Sequence, residues 1–177
     1  MAEVGTNSIK AWILAARPKT LSGAAVPVIV ALTKAWADTD SIAWIPALLC
    51  LLFALIMQID ANFVNDYFDC IKGVDEKDRL GPERACAQGW VTLPAMRWMI
   101  AATTLLAAAT GLPLIYWGGM EMIYIGIACI IFCFLYTTLL SRIGMGDLLV
   151  LVFFGIAASM FRQMYLHRGL IAITFCT

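Results

Sequence analysis

Residues 65–84 of the chain read NDYFDCIKGVDEKDRLGPER and form its most highly charged segment. Six acidic and four basic side chains lie within these twenty residues, whereas most of the remaining chain is apolar. Charged groups are costly near a lipid bilayer, so a cluster of this density requires a specific reason.

The composition indicates an integral membrane protein. Hydrophobic residues make up 62% of the chain, well above the roughly 45–50% of an ordinary soluble domain. The net charge is zero and no RNA-binding or DNA-binding motif is present, which argues against a nucleic-acid partner. The six cysteines are scattered, and we interpret them as small packing residues rather than metal ligands or disulfides.

Apolar runs separated by short polar segments predict an all-α, polytopic bundle of transmembrane helices, since a span needs roughly 20 residues. The runs cover residues 21–36, 42–64, 95–117 and 122–140, and a fifth begins at residue 148. Lys34, Asp38 and Asp40 are expected to mark the loop between the first two spans. Only a few residues around Gly118 and Gly119 join the third and fourth spans, which predicts an antiparallel helix pair.

Basic residues are concentrated in alternate loops of this arrangement. They precede the first span, surround the loop between the second and third, and lie between the fourth and fifth: Lys10, Arg17, Lys19, Lys72, Lys77, Arg79, Arg84, Arg97 and Arg142. The positive-inside rule therefore predicts a multi-pass protein of the inner (cytoplasmic) membrane, with the N-terminus and the acidic segment in the cytoplasm.

The fifth apolar run contradicts this topology. It ends after fourteen residues at Arg162, and residues 163–168 would place a second arginine and a histidine at the outer face. One explanation is a long helix with Arg162 facing a polar cavity. The other is that residues after about 157 are aberrant, as a frameshift or a truncation would produce. The chain is then a single domain, residues 1–177, that is truncated at its C-terminus.

Helical spacing places the polar side chains at the end of the second span on one face. The residues at positions i, i+4, i+7, i+8 and i+11 are Gln58, Asn62, Asn65, Asp66 and Asp69. Gly73 follows on the same face, where the helix can unwind. An apolar helix that ends in amides and carboxylates on one side suits a hydrated pocket at the membrane surface.

This pocket has the side chains of a magnesium–diphosphate site. Mg²⁺ favours one or two carboxylates together with phosphate oxygens of a substrate. The basic residues of the segment would bind the same phosphates from the loop side. A solvated surface loop is the alternative, but it does not require polarity to continue into the span at Asn62 and Gln58. The ligand spacing of an EF-hand and the pattern of a Walker phosphate loop are both absent.

The same residues carry a family resemblance. Asn65-Asp66-x-x-Asp69, with Asp75 beyond it, resembles the first aspartate-rich motif of the UbiA superfamily of intramembrane prenyltransferases. Within this superfamily, residues 65–84 are similar to the branch that prenylates 1,4-dihydroxy-2-naphthoate in menaquinone synthesis. Residues 17–20 (RPKT) and 144–150 (GMGDLLV) agree with that branch, and the resemblance extends from about residue 12 to 155. Asp60 departs from it, since a small residue is expected there.

The resemblance implies a bundle of nine spans around a cavity, with two aspartate-rich motifs facing each other on cytoplasmic loops. Mg²⁺ ions held by both motifs would bind the diphosphate of a polyprenyl diphosphate. Ionisation of the allylic bond would give a carbocation that 1,4-dihydroxy-2-naphthoate captures with loss of CO₂, forming a demethylmenaquinone. Metal ions and basic side chains would stabilise the departing diphosphate.

The resemblance also implies roles for individual residues. Asp66, Asp69 and Asp75 would be catalytic and, with Asn65, would ligate the metal. The expected contacts to substrate are Asn62, Asn65, Lys72, Arg79 and Arg84. Arg17 and Lys19 are interpreted as topological anchors, with binding of a substrate anion as the alternative.

A second aspartate-rich motif is not found, because only three acidic residues follow Asp78. Five spans also cannot close a nine-helix cavity. We therefore expect the chain to be inactive by itself. The alternative is a small membrane binding or transport module whose acidic loop admits cations or another anion. A symmetric dimer that completes the bundle would favour this alternative.

Overall fold

The computed structural model describes residues 4–73 and 84–138, except for the side chains of residues 39, 132 and 135–138. These residues fold into six α-helices without a strand, which confirms the predicted all-α class. The helices are α1 (Ile9–Ala16), α2 (Leu21–Thr39), α3 (Trp44–Lys72), α4 (Leu93–Gly111), α5 (Ile115–Gly118) and α6 (Glu121–Thr138). Asp75, Arg79, the predicted fifth span and the residues after 157 lie outside the described ranges.

Helix α3 is the centre of the bundle. It contacts α1, α2, α4 and α6, and its apolar side chains form most of the core with residues of α4 and α6. Large members of this core are Phe53, Ile56, Met57, Phe63, Met96 and Ile100. Because α3 is contacted on several sides, its polar side chains must find partners on neighbouring segments or remain buried without them.

Three segments of the described chain are long and apolar enough to cross a membrane. They are Ile9–Asp38, Trp44–Lys72 and Leu93–Gly118, and a shorter apolar stretch, Glu121–Ile131, begins α6. Large apolar side chains also remain exposed on the outer surfaces of α2, α4 and α6, among them Val30, Leu105 and Ile127. An apolar exterior of this kind suits contact with lipid.

The first membrane segment contains a break that hydropathy does not reveal. Ser8 caps α1 by accepting a hydrogen bond from the N–H of Ala11, and Arg17 ends this helix in the left-handed conformation, with φ of 51°. A single 3-10 turn, Pro18–Thr20, then leads into α2, which begins at residue 21 as predicted. The break places Arg17 and its neighbours beside the end of α3.

The loop predicted around residues 34–40 is shorter than expected. Lys34 and Asp38 both lie inside α2, where their side chains pair at 2.5 Å on the exposed surface. Oppositely charged side chains four residues apart stabilise a helix, so charge at this position does not end it. The third span is helical as expected but passes through a 3-10 turn, Leu112–Leu114, whose central proline lacks the N–H of a regular helix.

Asp60 is fully buried where α3 meets α4 and α6. Its carboxylate accepts hydrogen bonds from the hydroxyls of Thr103 and Thr104, the second at 3.1 Å, and the Cys133 thiol lies 4.0 Å away. The side chain therefore points away from Asn62 and Asp66, as its helical position predicts. Two donors from α4 offset part of the cost of burying this group.

We expect the double substitution Thr103→Val and Thr104→Val to destabilise the fold. The volumes are nearly unchanged, but Asp60 loses both hydroxyl donors, which should lower the free energy of unfolding by about 1–3 kcal/mol. Thermal unfolding of the chain in detergent measures this. Thr110→Val is the matched control, because the Thr110 hydroxyl bonds to carbonyls of its own helix. An equal loss in the control would show that the Asp60 contacts are not responsible.

Candidate functional site

The acidic residues lie at the end of α3 that extends beyond the apolar part of the bundle. With 29 residues at about 1.5 Å each, α3 is about 43 Å long, whereas a bilayer's hydrocarbon core is about 30 Å thick. Its last turns can therefore reach the membrane surface. Gly73 ends the helix with φ of 63°, as predicted, and its N–H donates to the carbonyls of Asp69 and Cys70.

Asp66 is bound by the backbone of the segment that follows the acidic loop. The N–H of Ala85 donates to Asp66 Oδ2 at 2.8 Å, and the N–H of Cys86 donates to Oδ1 at 3.1 Å. The Asp66 side chain is fully buried. Two amide donors aimed at one carboxylate fix its orientation and replace part of the hydration that burial removes.

Asp69, one turn further along α3, forms a buried ion pair with Arg84. Arg84 Nη2 lies 2.5 Å from Asp69 Oδ2, and each of the two side chains is only 8% exposed. Arg84 immediately precedes the two residues whose amides bind Asp66. Both carboxylates are therefore held by three consecutive residues of the chain, 84–86.

Asn62 connects the same end of α3 to the break between α1 and α2. Its amide nitrogen donates to the carbonyl of Ala16 and to the hydroxyl of Thr20, each at 2.9 Å. Both amide hydrogens are thus used in fixing the break. The predicted contact of Asn62 with substrate stays a prediction, and its remaining acceptor is the side-chain oxygen.

The break also brings Arg17 to the site. The positive charges of Arg84 and Arg17 both act on the Asp66 carboxylate. Arg17 is half-buried at the break, and the two roles considered from the sequence, a topological anchor and binding of a substrate anion, both stay predictions. The signal that could have indicated the break was the proline at position 18, because the residue before a proline rarely continues a helix.

The other predicted site residues are placed less closely. Asn65 immediately precedes Asp66 on α3 and is half-buried. The Lys72 ammonium lies 5.8 Å from the centre of the Phe68 ring. Among residues 4–73 and 84–138, no group of three or more histidine, cysteine, aspartate or glutamate side chains could together hold a metal ion. The described site is therefore a pair of carboxylates with two arginines, at the bundle end shared by α1 and α3.

Comparison with known proteins identifies the class to which this fold and site belong. Residues 24–169 match the UbiA prenyltransferase family, and the chain belongs to this family. The family expected from residues 65–84 is thereby confirmed.

Individual relatives agree with the branch that the sequence indicated. The chain is 35% identical to the 1,4-dihydroxy-2-naphthoate octaprenyltransferase of Escherichia coli (strain K12), over 88% of this chain and 53% of that protein. It is 36% identical to the enzyme of the same name from Mycobacterium tuberculosis, over 84% and 51%. UbiA prenyltransferase domain-containing protein 1 of Danio rerio is 31% identical, over 85% and 46%.

The chain spans about half the length of these relatives. No solved structure gives a significant match.

We expect Arg84→Ala to destabilise the chain strongly. It leaves the buried Asp69 carboxylate without its arginine, and breaking a buried pair typically costs about 3–5 kcal/mol. The exposed pair Lys34–Asp38 has the same 2.5 Å separation, so Lys34→Ala is the matched control and should cost at most about 0.5 kcal/mol. Thermal or denaturant unfolding in detergent measures both. Similar losses of unfolding free energy in the two variants would contradict the view that burial makes the Arg84–Asp69 pair the stronger one.

Proposed function

We propose that this chain contributes the first diphosphate-binding motif of a prenyltransferase. The reaction is transfer of a polyprenyl group from a polyprenyl diphosphate to 1,4-dihydroxy-2-naphthoate, with loss of CO₂, to give a demethylmenaquinone. The observation that carries this proposal is the pair Asp66 and Asp69, one helical turn apart, with Arg84 bonded to Asp69 and the positive charges of Arg84 and Arg17 acting on Asp66. The names of the bacterial relatives support the substrates.

The donor set fits a magnesium ion bound together with a diphosphate. Mg²⁺ is usually held by one or two carboxylates, and phosphate oxygens and water complete its coordination. A carboxylate has about four lone-pair positions, and the two amide bonds to Asp66 use two of them. Asp66 and Asp69 would hold the ion, with Asn65 and Asp75 as further ligands.

The arginines fit the phosphate groups. A guanidinium group donates up to five hydrogen bonds in a fixed plane, so Arg84 can bind Asp69 and a phosphate oxygen at the same time. Arg17 approaches from the break between α1 and α2 and would bind the diphosphate from another side. Lys72, at the end of α3, and Arg79 would add further positive charge.

These residues would act on the leaving group of the reaction. Cleavage of the allylic carbon–oxygen bond transfers negative charge to the diphosphate, and positive groups fixed beforehand stabilise that charge. Bound Mg²⁺ would supply further neutralisation of the diphosphate. Burial of Asp66, Asp69 and Arg84 excludes water around them, which strengthens each of these electrostatic interactions.

The membrane setting agrees with a lipid substrate. Several apolar helices and membership of the family indicate a multi-pass membrane protein. We propose the inner (cytoplasmic) membrane, with the N-terminus and the acidic end of α3 in the cytoplasm. An isoprenoid tail would then remain in the bilayer while its diphosphate reaches Asp66 and Asp69 at the surface.

The site predicts magnesium-dependent binding of diphosphate by the chain in detergent. Inorganic pyrophosphate is the probe, and equilibrium dialysis in Mg²⁺ and in EDTA measures its affinity. Asp66→Asn and Asp69→Asn should each weaken binding by about 10-fold to 100-fold, since a charged ligand is worth about 1.5–3 kcal/mol. Asp38→Asn, on the exposed surface of α2, is the control and should bind as the unaltered chain does. Equal pyrophosphate affinity in all variants would refute the assignment of Asp66 and Asp69 to the diphosphate site.

The reaction itself can be measured with a fusion protein. The chain replaces the region that it matches in the Escherichia coli relative, and membranes containing the fusion receive polyprenyl diphosphate, 1,4-dihydroxy-2-naphthoate and Mg²⁺. We expect a prenylated product that is lost in EDTA and reduced at least about 100-fold by Asp66→Asn or Asp69→Asn.

Two further preparations complete this experiment. Membranes with the chain alone determine whether it acts only together with further helices, as the sequence predicts. Asp38→Asn in the fusion controls for general damage, and immunoblotting verifies insertion. A well-inserted fusion that forms no product would contradict the proposed reaction.

A further inference from the structure

A short arm, residues 4–8, lies across the loop formed by residues 84–92. The N–H of Asn7 donates to the carbonyl of Trp90 at 2.7 Å, and the N–H of Thr92 donates to Asn7 Oδ1 at 3.1 Å. The Asn7 amide nitrogen also donates to the Thr92 hydroxyl at 3.4 Å. One exposed asparagine thus makes three hydrogen bonds to residues more than 80 positions away.

Asn7 has the backbone conformation that this contact needs. Its φ is 56°, in the left-handed region, which asparagine tolerates better than most residues other than glycine. In that conformation its backbone N–H and its side chain both reach the loop, while Ser8 caps α1. The backbone conformation and the hydrogen bonds therefore explain why asparagine suits position 7, although its side chain is not part of the core.

The part of the loop that Asn7 holds is bonded directly to the part that holds Asp66. The N–H groups of Trp90 and Val91 both donate to the carbonyl of Ala85, at 2.8 and 3.1 Å. The N–H of Ala85 in turn donates to Asp66. A continuous path of hydrogen bonds consequently leads from Asn7, through residues 90–91 and 85, to the Asp66 carboxylate.

The described loop is held by buried residues and by backbone hydrogen bonds. Residues 84–92 contain turns but no helix, and residues 87–89 are exposed. Arg84, Ala85, Cys86 and Val91 are buried, so the inner side of the loop is anchored in the core. Of the four described hydrogen bonds between this loop and the arm, Asn7 makes three and the Thr6 hydroxyl makes the fourth, to the Gly89 carbonyl at 3.4 Å.

We propose that Asn7 is a positioning residue for the acidic site. By fixing residues 84–92, it keeps the amides of Ala85 and Cys86 on Asp66 and Arg84 on Asp69. It thereby sets the orientation of the two carboxylates toward a magnesium-bound diphosphate. This inference rests on the proposed function, because it assigns Asn7 a role in binding at that same site.

The experiment compares Asn7→Ala with the conservative Asn7→Asp and with Gln88→Ala, whose exposed side chain lies on the same loop. Hydrogen exchange followed by mass spectrometry reports the amides of residues 85–91, and equilibrium dialysis reports pyrophosphate affinity in Mg²⁺. Asn7→Ala should speed exchange in the loop at least about 5-fold and weaken pyrophosphate binding about 3-fold to 10-fold, with α6 peptides unchanged. Asn7→Asp keeps the acceptor for the Thr92 N–H, so its loop exchange and its pyrophosphate affinity should both lie close to those of the unaltered chain.

The outcomes separate this inference from the proposed function. Unchanged loop exchange in Asn7→Ala would overturn the inference, and so would faster exchange with unaltered pyrophosphate affinity. Equal effects from Gln88→Ala would also overturn it, because Gln88 contacts the arm through no described side-chain bond. If the unaltered chain itself fails to bind magnesium and pyrophosphate, the proposed function fails first, and the role of Asn7 in binding fails with it.

Discussion

Burial of two carboxylates at the end of α3 is the constraint on which the rest of this bundle end depends. A buried charged group is tolerated only when hydrogen bonds and opposite charges replace its hydration. Asp66 obtains two backbone amides, and Asp69 obtains the Arg84 guanidinium. All of these partners come from residues 84–86, so the chain must return to α3 after the acidic loop before α4 can begin. The position of α4 is thereby linked to the chemistry of the site.

The same end of α3 also organises the beginning of the chain. Asn62 binds the α1–α2 break, and the arm bonds to the loop that covers Asp66. Three segments that are distant in sequence therefore meet around one helix end. The proposed diphosphate site combines charges from α3, from the break and from the loop, and no single segment contains them all. This agrees with a diphosphate ligand, which presents oxygens in several directions.

The sequence predicted the features that follow from local periodicity and hydropathy. The 3.6-residue repeat placed Asn62, Asp66 and Asp69 on one face, and apolar length located the spans. It did not predict the Arg84–Asp69 pair or the amides on Asp66, because backbone donors have no side-chain signature and long-range contacts leave no periodic pattern. Helix α1 was missed because eight residues are too few for a hydropathy signal. The prediction of a loop at Lys34 and Asp38 was wrong, because opposite charges four residues apart also stabilise a helix.

A comparison of Asp60 with Asp66 explains why burial alone does not identify the site. Both side chains are fully buried on α3, yet their described partners differ. Asp60 is bound by threonine hydroxyls of α4, which are neutral and lie between packed helices, so its contacts join helices. Asp66 is bound by amides under the field of two arginines, at a helix end that can reach the membrane surface. Of these two settings, only the second combines negative oxygen ligands with positive groups that the proposed diphosphate could share. The chemistry of the partners, rather than the carboxylate itself, therefore distinguishes a binding site from a helix contact.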